Sequence, residues 1–268
     1  MIINKLLGRK SPKSDIILTE NGIELDNLTM ANKFNAHFIE VGENFGCKSL
    51  KQYGYRKYMD KKSVRSFFFQ PLTVHEIQKL INDSQNSKAS NDTTPLHIFK
   101  LCPDEVFEYL VHLLNLCIDM GCMPQILKTS LIIPIYKAGA KSELANYRPI
   151  SLLSYIDKVL EKAIHKRLYD YLSKSDFFCE NQFGFRENHS TELALLSLTD
   201  RVYEAVDNRK HAIIVSLDLR KAFDVIRHDI LLDKLENVGV RGFMLKWFSA
   251  YFNNREQKLL LIIPFLIH

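Results

Sequence analysis

The stretch VSLDLRKAFDVIRHDIL, residues 215–231, places an acid directly after an apolar run. With the residues before it, HAIIVSLDL (211–219) consists largely of Ile, Val and Leu, which predicts a strand buried on both faces. Asp218 lies at the end of this strand, and Phe223 and Asp224 follow it. Because most acids occupy solvated positions, an acid at the end of a buried strand indicates a function.

The chain before this strand alternates between strand and helix patterns. TSLIIPIYKAG (129–139) is typical of a strand that ends in a turn, with Lys137 at the tip. Apolar residues from 152 to 168 then recur at intervals of three and four, which predicts a strongly amphipathic helix. Arg148 lies just before this helix, next to a proline and ahead of a serine that could cap it.

A second turn and helix repeat this plan. QFGFRENHST (182–191) combines a glycine-containing turn, Arg186 and a capping Ser190, and a further helix pattern follows it. The order of elements is therefore strand, helix, helix, strand, helix. This order predicts a mixed α/β fold that is rich in helices.

The front of the chain is less regular. Residues 1–27 resemble a linker, whereas 28–42, 72–83 and 104–121 predict amphipathic helices, the last ending at Gly121. The run KQYGYRKYMDKKSVR (51–65) mixes cations with tyrosines. Such a run could bind a nucleic-acid backbone, although a solvated charged loop is the favoured interpretation.

Bulk composition limits the class of protein. The 268 residues include 46% hydrophobic residues and carry a net charge of +5, which permits a polyanionic partner without requiring one. The five cysteines form no CxxC pair and predict reduced, mostly buried thiols. We find no signal peptide, and LLLIIPFLI (259–267) is too short to span a bilayer, so an intracellular protein is expected, in the nucleus or the cytoplasm.

Five motifs together resemble the reverse transcriptases of LINE-type non-LTR retrotransposons. These motifs occur in that family's order and at similar spacing: IPIYKAG, NYRPISLL, a long helix ending in HKRL, QFGFRENHST and SLDLRKAFDVIRHDILLDKL. The resemblance implies a fragment of a right-hand polymerase, truncated before the family's Tyr-x-Asp-Asp motif. It implies a linker-like region at 1–69, a fingers-like region at 70–210 and the start of the palm at 211–268.

The resemblance also implies roles for individual residues. Asp218 matches the first metal-binding carboxylate of the family and the carbonyl of Leu219 a further Mg²⁺ ligand, while Phe223 matches the bulky residue beneath the nucleotide sugar. Lys137 and Arg148 match residues that neutralise the triphosphate. Arg186 matches a position near the template and the incoming nucleotide. The implied partners are an RNA template, a DNA primer and deoxynucleoside triphosphates, without a membrane, and the oligomeric state stays open.

Simpler interpretations of the same residues also remain. Asp218 could cap the next helix, Phe223 could be a core aromatic, and Lys137 and Arg148 could be surface cations. No Asp-Asp pair follows Asp218, and KASNDTTPLHIFK (88–100) lacks the family's glycine-rich stretch before the fingers. We therefore expect the fragment to be inactive alone, since one carboxylate cannot assemble a two-metal site. The alternatives are a non-catalytic remnant that binds RNA or DNA and a structural remnant with neither function.

Overall fold

The computed structural model describes residues 16, 18–20, 23–45, 63–84, 96–219 and 221–261. Contacts divide the chain into a first unit, Met1–Arg167 with Asp224–His268, and a second unit, Leu168–Phe223. The mixed α/β, helix-rich character predicted from the sequence is confirmed. No helix within the described ranges is long and apolar enough to cross a membrane.

The first unit contains all the described strands and most of the described helices. In chain order these are β1 (Thr19–Glu20), β2 (Ile23–Glu24), α1 (Asn27–Phe45), α2 (Val74–Asn82), α3 (Leu96–Lys100), α4 (Asp104–Asp119), α5 (Gln125–Lys128), β3 (Thr129–Tyr136), β4 (Tyr147–Leu152), α6 (Tyr155–Lys174), α8 (His228–Asn237), α9 (Gly242–Phe252) and β5 (Glu256–Leu259). The second unit begins within α6, at Leu168, and contains α7 (Thr191–Asp207).

β3 is the central strand of a three-stranded sheet with the order β4-β3-β5. It pairs antiparallel with β4, from Leu131 opposite Leu152 to Tyr136 opposite Tyr147, and parallel with β5. The predicted strand at 129–139, with its turn, is therefore confirmed. β3 therefore has a partner on each side, with β5 paired along its first half, from Thr129 to Ile132.

The predicted start of the long helix is wrong. Residues from Tyr147 to Leu152 form β4, because they pair along the whole edge of β3, and helix α6 begins only at Tyr155. The capping residue is Ser154, whose hydroxyl accepts the N–H of Asp157 at 3.0 Å. Arg148 consequently lies in a strand and does not precede a helix.

The helices predicted in the front of the chain are confirmed and supply much of the core. α4 buries residues spaced four, three and four apart, which is the periodicity of one helix face: Phe107, Val111, Leu114 and Ile118. The helix ends as predicted at Gly121, whose φ of 64° lies in the left-handed region. The N–H of Cys122 then reaches back to the carbonyl of Cys117 at 2.9 Å, which completes a glycine C-cap.

Arg167 connects α6 to the segment that leads into α2. Its guanidinium makes a two-pronged ion pair with Glu76, at 2.6 and 2.7 Å, and also donates to the carbonyls of Gln70 and Pro71. It lies 5.0 Å from the ring centre of Phe69. The hydrogen bonds from Arg167 hold the pKa of Glu76 below its usual value, because they stabilise the charged carboxylate.

Helix α1 packs against the sheet. Its buried residues Met30 and Phe34 form a hydrophobic cluster with Leu18, Tyr147 and Leu261. These contacts join α1 to β4 and to the end of β5. The front of the chain therefore contains a packed element of the first unit.

The second unit exposes its apolar residues. Ser190 caps α7 as predicted, since its hydroxyl accepts the N–H of Leu193 at 3.3 Å, but α7 has no buried residue. The predicted buried strand at 211–219 is wrong: these residues have no regular secondary structure, and Leu217 is 88% exposed. The reason is that 211–219 pairs with none of the described strands, and a strand exists only by pairing its backbone.

Some predictions fall outside the described residues. The basic run at 51–65 lies outside them from 51 to 62, as do 88–95 of the polar loop and 262–267 of the terminal apolar stretch. The four described cysteines are free thiols. Cys179 is exposed and the other three are half-buried, so the prediction of mostly buried thiols is wrong.

Candidate functional site

Lys137 and Arg148 lie together at the end of the β3–β4 hairpin where the connecting loop joins the two strands. Arg148 is the register partner of Ile135, and the N–H of Lys137 donates to the carbonyl of Asn146 at 2.8 Å, which extends the pairing beyond β3. Register partners and alternate residues share one face of a hairpin. Both cations therefore project from the same face as Ile135, as a diagonal pair about 7–8 Å apart.

The turn that joins the two strands has a fixed conformation. Gly139 has a φ of 98°, and a Cβ there would lie 2.5 Å from the side-chain nitrogen of Asn146. That nitrogen donates to the carbonyl of Ala140 at 3.0 Å and to the carboxylate of Glu143 at 3.1 Å. A side chain at 139 would displace Asn146, so the turn requires glycine.

Tyr147 anchors the hairpin from its other face. Its side chain is buried, and its hydroxyl donates to the carbonyl of Lys141 at 2.8 Å, across the turn. Burial raises the pKa of the Tyr147 phenol, so the phenol stays a hydrogen-bond donor at neutral pH. No sequence motif indicated a role for Tyr147, although strand alternation places it on the face opposite to that of Arg148.

Arg186 makes local contacts within the second unit. Its guanidinium donates to the carbonyls of Cys179 and Gln182 at 2.8 and 3.4 Å, and it lies 5.5 Å from the ring centre of Phe178. Arg186 thus holds together the turn that precedes α7. These contacts use part of its hydrogen-bonding capacity within the protein itself.

Phe223 is an exposed aromatic of the second unit. It is 74% exposed, and its ring meets that of Phe185 edge to face at 6.0 Å. Phe185 has a φ of 59°, an uncommon conformation for a bulky residue, and its side chain is 86% exposed. The pair forms an exposed aromatic surface, so Phe223 is not a core aromatic.

Asp218 and Leu219 lie in the irregular, exposed segment 211–219. Across the described part of the chain, no group of three or more His, Cys, Asp or Glu side chains could hold a metal ion. A two-metal centre requires several carboxylates that converge on one point. The described residues therefore do not fit such a centre by themselves.

The hairpin has two exposed cations, which can bind an anion. The second unit has an exposed aromatic pair and the carboxylate of Asp218. Lys137 and Arg148 belong to the first unit, and the second unit contains Arg186, Asp218, Leu219 and Phe223. The structure brings Lys137 and Arg148 together on one face of one hairpin. Within the second unit it pairs Phe223 with Phe185, which sequence analysis had not singled out.

The segment that contains these positions is similar to a known protein family. Residues 135–264 match the sequence model of a family described as "Reverse transcriptase (RNA-dependent DNA polymerase)". The matched segment includes both cations of the hairpin, Arg186, and the segment from Asp218 to Phe223. It therefore includes every residue to which the sequence resemblance assigned a role.

Relatives from Drosophila melanogaster agree with this match. The RNA-directed DNA polymerase from mobile element jockey is 30% identical over 184 residues, which cover 68% of the chain and 20% of that relative. The probable RNA-directed DNA polymerase from transposon X-element is 29% identical over 232 residues, which cover 84% of the chain and 25% of that relative. The chain thus spans about a fifth to a quarter of the length of these relatives. The protein contains part of a reverse transcriptase domain of the type found in LINE-like non-LTR retrotransposons.

Proposed function

We propose that the β3–β4 hairpin binds phosphate for an RNA-directed DNA polymerase, with Lys137 and Arg148 as its ligands for the incoming deoxynucleoside triphosphate. The observation that carries this proposal is the placement of the two cations on one face of a rigid turn, inside the segment that matches reverse transcriptases. Both side chains are exposed, so they can meet a ligand without a prior rearrangement of the core.

The two cations suit different parts of a triphosphate. The planar guanidinium of Arg148 can donate two parallel hydrogen bonds to phosphate oxygens, whereas the ammonium of Lys137 acts as a compact point charge. Their separation across the hairpin lets them contact neighbouring phosphates of one chain. Fixed turn geometry lowers the conformational entropy lost when the ligand binds.

The residues of the second unit receive roles in the same proposal. Asp218 and the carbonyl of Leu219 would contribute oxygen ligands to a Mg²⁺ ion, and Arg186 would lie near template and nucleotide. Phe223 would exclude a 2′-hydroxyl beneath the sugar of the nucleotide, and its exposed ring is available for such contact. Because the described residues do not fit a two-metal centre, a complete centre needs further carboxylates.

The proposed domain organisation places the fingers in 70–210 and the beginning of the palm in 211–268, with a linker-like region at 1–69. The proposed partners are an RNA template and a DNA primer, and the net charge of +5 is compatible with both. Polymerisation would be an activity of a domain that supplies the further carboxylates.

A second candidate function is nucleic-acid binding without catalysis. The observation that favours it is the lack of a carboxylate cluster in the described parts of the chain, while the phosphate-binding cations are present. Primer extension on an RNA template separates the two functions. Extension by this chain would support the polymerase, and binding without extension would support the remnant.

Triphosphate binding tests the proposed function directly. We expect Arg148→Ala to weaken the binding of dATP by about tenfold, because a charge-assisted hydrogen bond contributes about 1.5–3 kcal/mol. Lys137→Ala should have a smaller effect, since a solvated ammonium makes less directional contacts. Equilibrium dialysis with labelled dATP measures both.

The matched control is Lys234→Ala, which removes an exposed cation from α8. Its affinity for dATP should equal that of the wild type. Equal affinities for all four proteins would exclude the hairpin as the binding site. Circular dichroism would show that each variant remains folded, as expected for exposed residues.

A further inference from the structure

We infer that Phe34 and Tyr147 are positioning residues for the phosphate-binding hairpin, so that helix α1 sets the geometry in which Arg148 and Lys137 meet their ligand. This inference rests on the proposed function of the hairpin. It assigns a role to the front of the chain, which the sequence had presented as a linker-like region followed by an amphipathic helix.

The first step is the contact between α1 and β4. Phe34 is 0% exposed, and its ring meets that of Tyr147 edge to face, with centroids 4.9 Å apart and planes at 78°. Met30, Leu18 and Leu261 enclose the same cluster. Aromatic pairs prefer this geometry, so the ring of Tyr147 has a defined orientation.

The second step connects Tyr147 to both sides of the hairpin. Its hydroxyl donates to the carbonyl of Lys141, six residues earlier in the turn, at 2.8 Å. Its ring lies 5.6 Å from that of Tyr136, its register partner on β3. One buried side chain therefore restrains the turn and both strands that carry the cations.

The third step follows from strand alternation. Successive residues of a strand point to opposite faces, so a buried Tyr147 directs Arg148 outward. Tyr136 precedes Lys137 in the same way on the opposite strand. The anchored tyrosine thus fixes the direction of the two cations without touching the phosphate itself.

A hydrogen bond further along the chain joins α1 to the same sheet. The side chain of Gln257 in β5 donates to the side-chain oxygen of Asn35 at 2.7 Å. Asn35 is adjacent to Phe34, and β5 pairs with β3. α1 is therefore held against the sheet on either side of β3, which makes it a support and not a loosely attached segment.

The experiment compares Tyr147→Phe, which removes only the hydroxyl that holds Lys141, with Phe34→Leu, which keeps an apolar side chain but loses the ring. The control is Leu28→Ala, an exposed position of the same helix. Two quantities are measured well below the melting temperature of every variant: the dissociation constant for dATP and the amide hydrogen exchange of residues 137–146.

We expect Tyr147→Phe and Phe34→Leu to weaken dATP binding by about threefold to tenfold and to speed exchange in the turn, because a less restrained hairpin must be ordered on binding. Leu28→Ala should change neither quantity. A merely structural role would lower the melting temperature and leave both quantities unchanged in the folded protein.

The outcomes separate this inference from the proposed function. Wild-type affinity and wild-type exchange in both variants, beside weakened binding by Arg148→Ala, would overturn the positioning role alone. Unchanged binding by Arg148→Ala would overturn the proposed function and, with it, the positioning of a triphosphate, even if exchange in the turn increased in Tyr147→Phe.

Discussion

The two units of the molecule differ in how much of a helix with an amphipathic sequence they bury. In the first unit, α4 buries one face of four apolar residues, and the part of α6 before Leu168 buries Val159, Leu160 and Ile164. In the second unit, α7 has apolar residues spaced three, four and four apart, and it buries none of them: Leu195, Leu198, Val202 and Val206. An amphipathic pattern therefore predicts a helix, but it does not predict what covers that helix.

Two stretches rich in Ile and Leu make the same point for strands. Residues 129–136 form β3, which has a partner on each edge, whereas 211–219 stays irregular and exposed without a described partner. Backbone hydrogen bonds between neighbours are what stabilise a strand. Composition supplies the preference for extended structure, and pairing decides whether a strand forms.

The largest expected effect tests the difference in burial. Leu160 of α6 is 0% exposed and Leu195 of α7 is 64% exposed. We expect Leu160→Ala to lower the free energy of unfolding by about 2–5 kcal/mol, through lost apolar contact and a residual cavity. Leu195→Ala, the matched substitution, should stay within about 0.5 kcal/mol of the wild type.

Urea unfolding followed by far-UV circular dichroism measures both variants, because helices of both units contribute to this signal. A midpoint that moves at constant slope reports stability. Destabilisation by Leu195→Ala as strong as that by Leu160→Ala would contradict the exposure of α7.

A smaller effect concerns charge in the first unit. Arg167 holds the pKa of Glu76 below its usual value of 4.5, so this pair stabilises the fold above about that pH and loses its contribution as the pH falls through the lowered value. We expect Glu76→Gln to cost about 1–2 kcal/mol at pH 7, since two hydrogen bonds between charged groups are lost. The cost should shrink toward pH 3.

Melting temperatures of the wild type and Glu76→Gln between pH 7 and pH 3 measure this convergence. The control Glu108→Gln changes an exposed glutamate of α4, and its curve should follow that of the wild type. A difference between wild type and Glu76→Gln that stayed constant with pH would show that the charge of Glu76 contributes nothing.

Much of the fold follows from local patterns in the sequence. Helix periodicity predicted α1, α2 and α4, Gly121 predicted the end of α4, and Ser190 predicted the start of α7. The strand at 147–152 was missed because the three- and four-residue spacing of the apolar residues in α6 extends back to Leu152. Only the pairing with β3, a contact between separate segments, distinguishes the end of that strand from the beginning of the helix.

The candidate site was predictable to a lesser extent. The order of the motifs predicted that Lys137 and Arg148 act together on a triphosphate. The hairpin register explains why they share a face. The buried support by Phe34 and Tyr147 depends on a contact between residues more than a hundred positions apart, which no local pattern records. The assignment of Asp218 depends on motif resemblance, because its segment is irregular in the structure.

The salt dependence of dATP binding tests the central claim most directly, namely that the hairpin cations contact the triphosphate. Contacts between exposed cations and phosphate weaken as added salt screens their charges. We expect the double variant Lys137→Ala/Arg148→Ala to bind dATP at least about tenfold more weakly than the wild type and to lose less affinity as salt rises, with Lys234→Ala unchanged. Equal affinity and equal salt dependence for the wild type and the double variant would contradict the account.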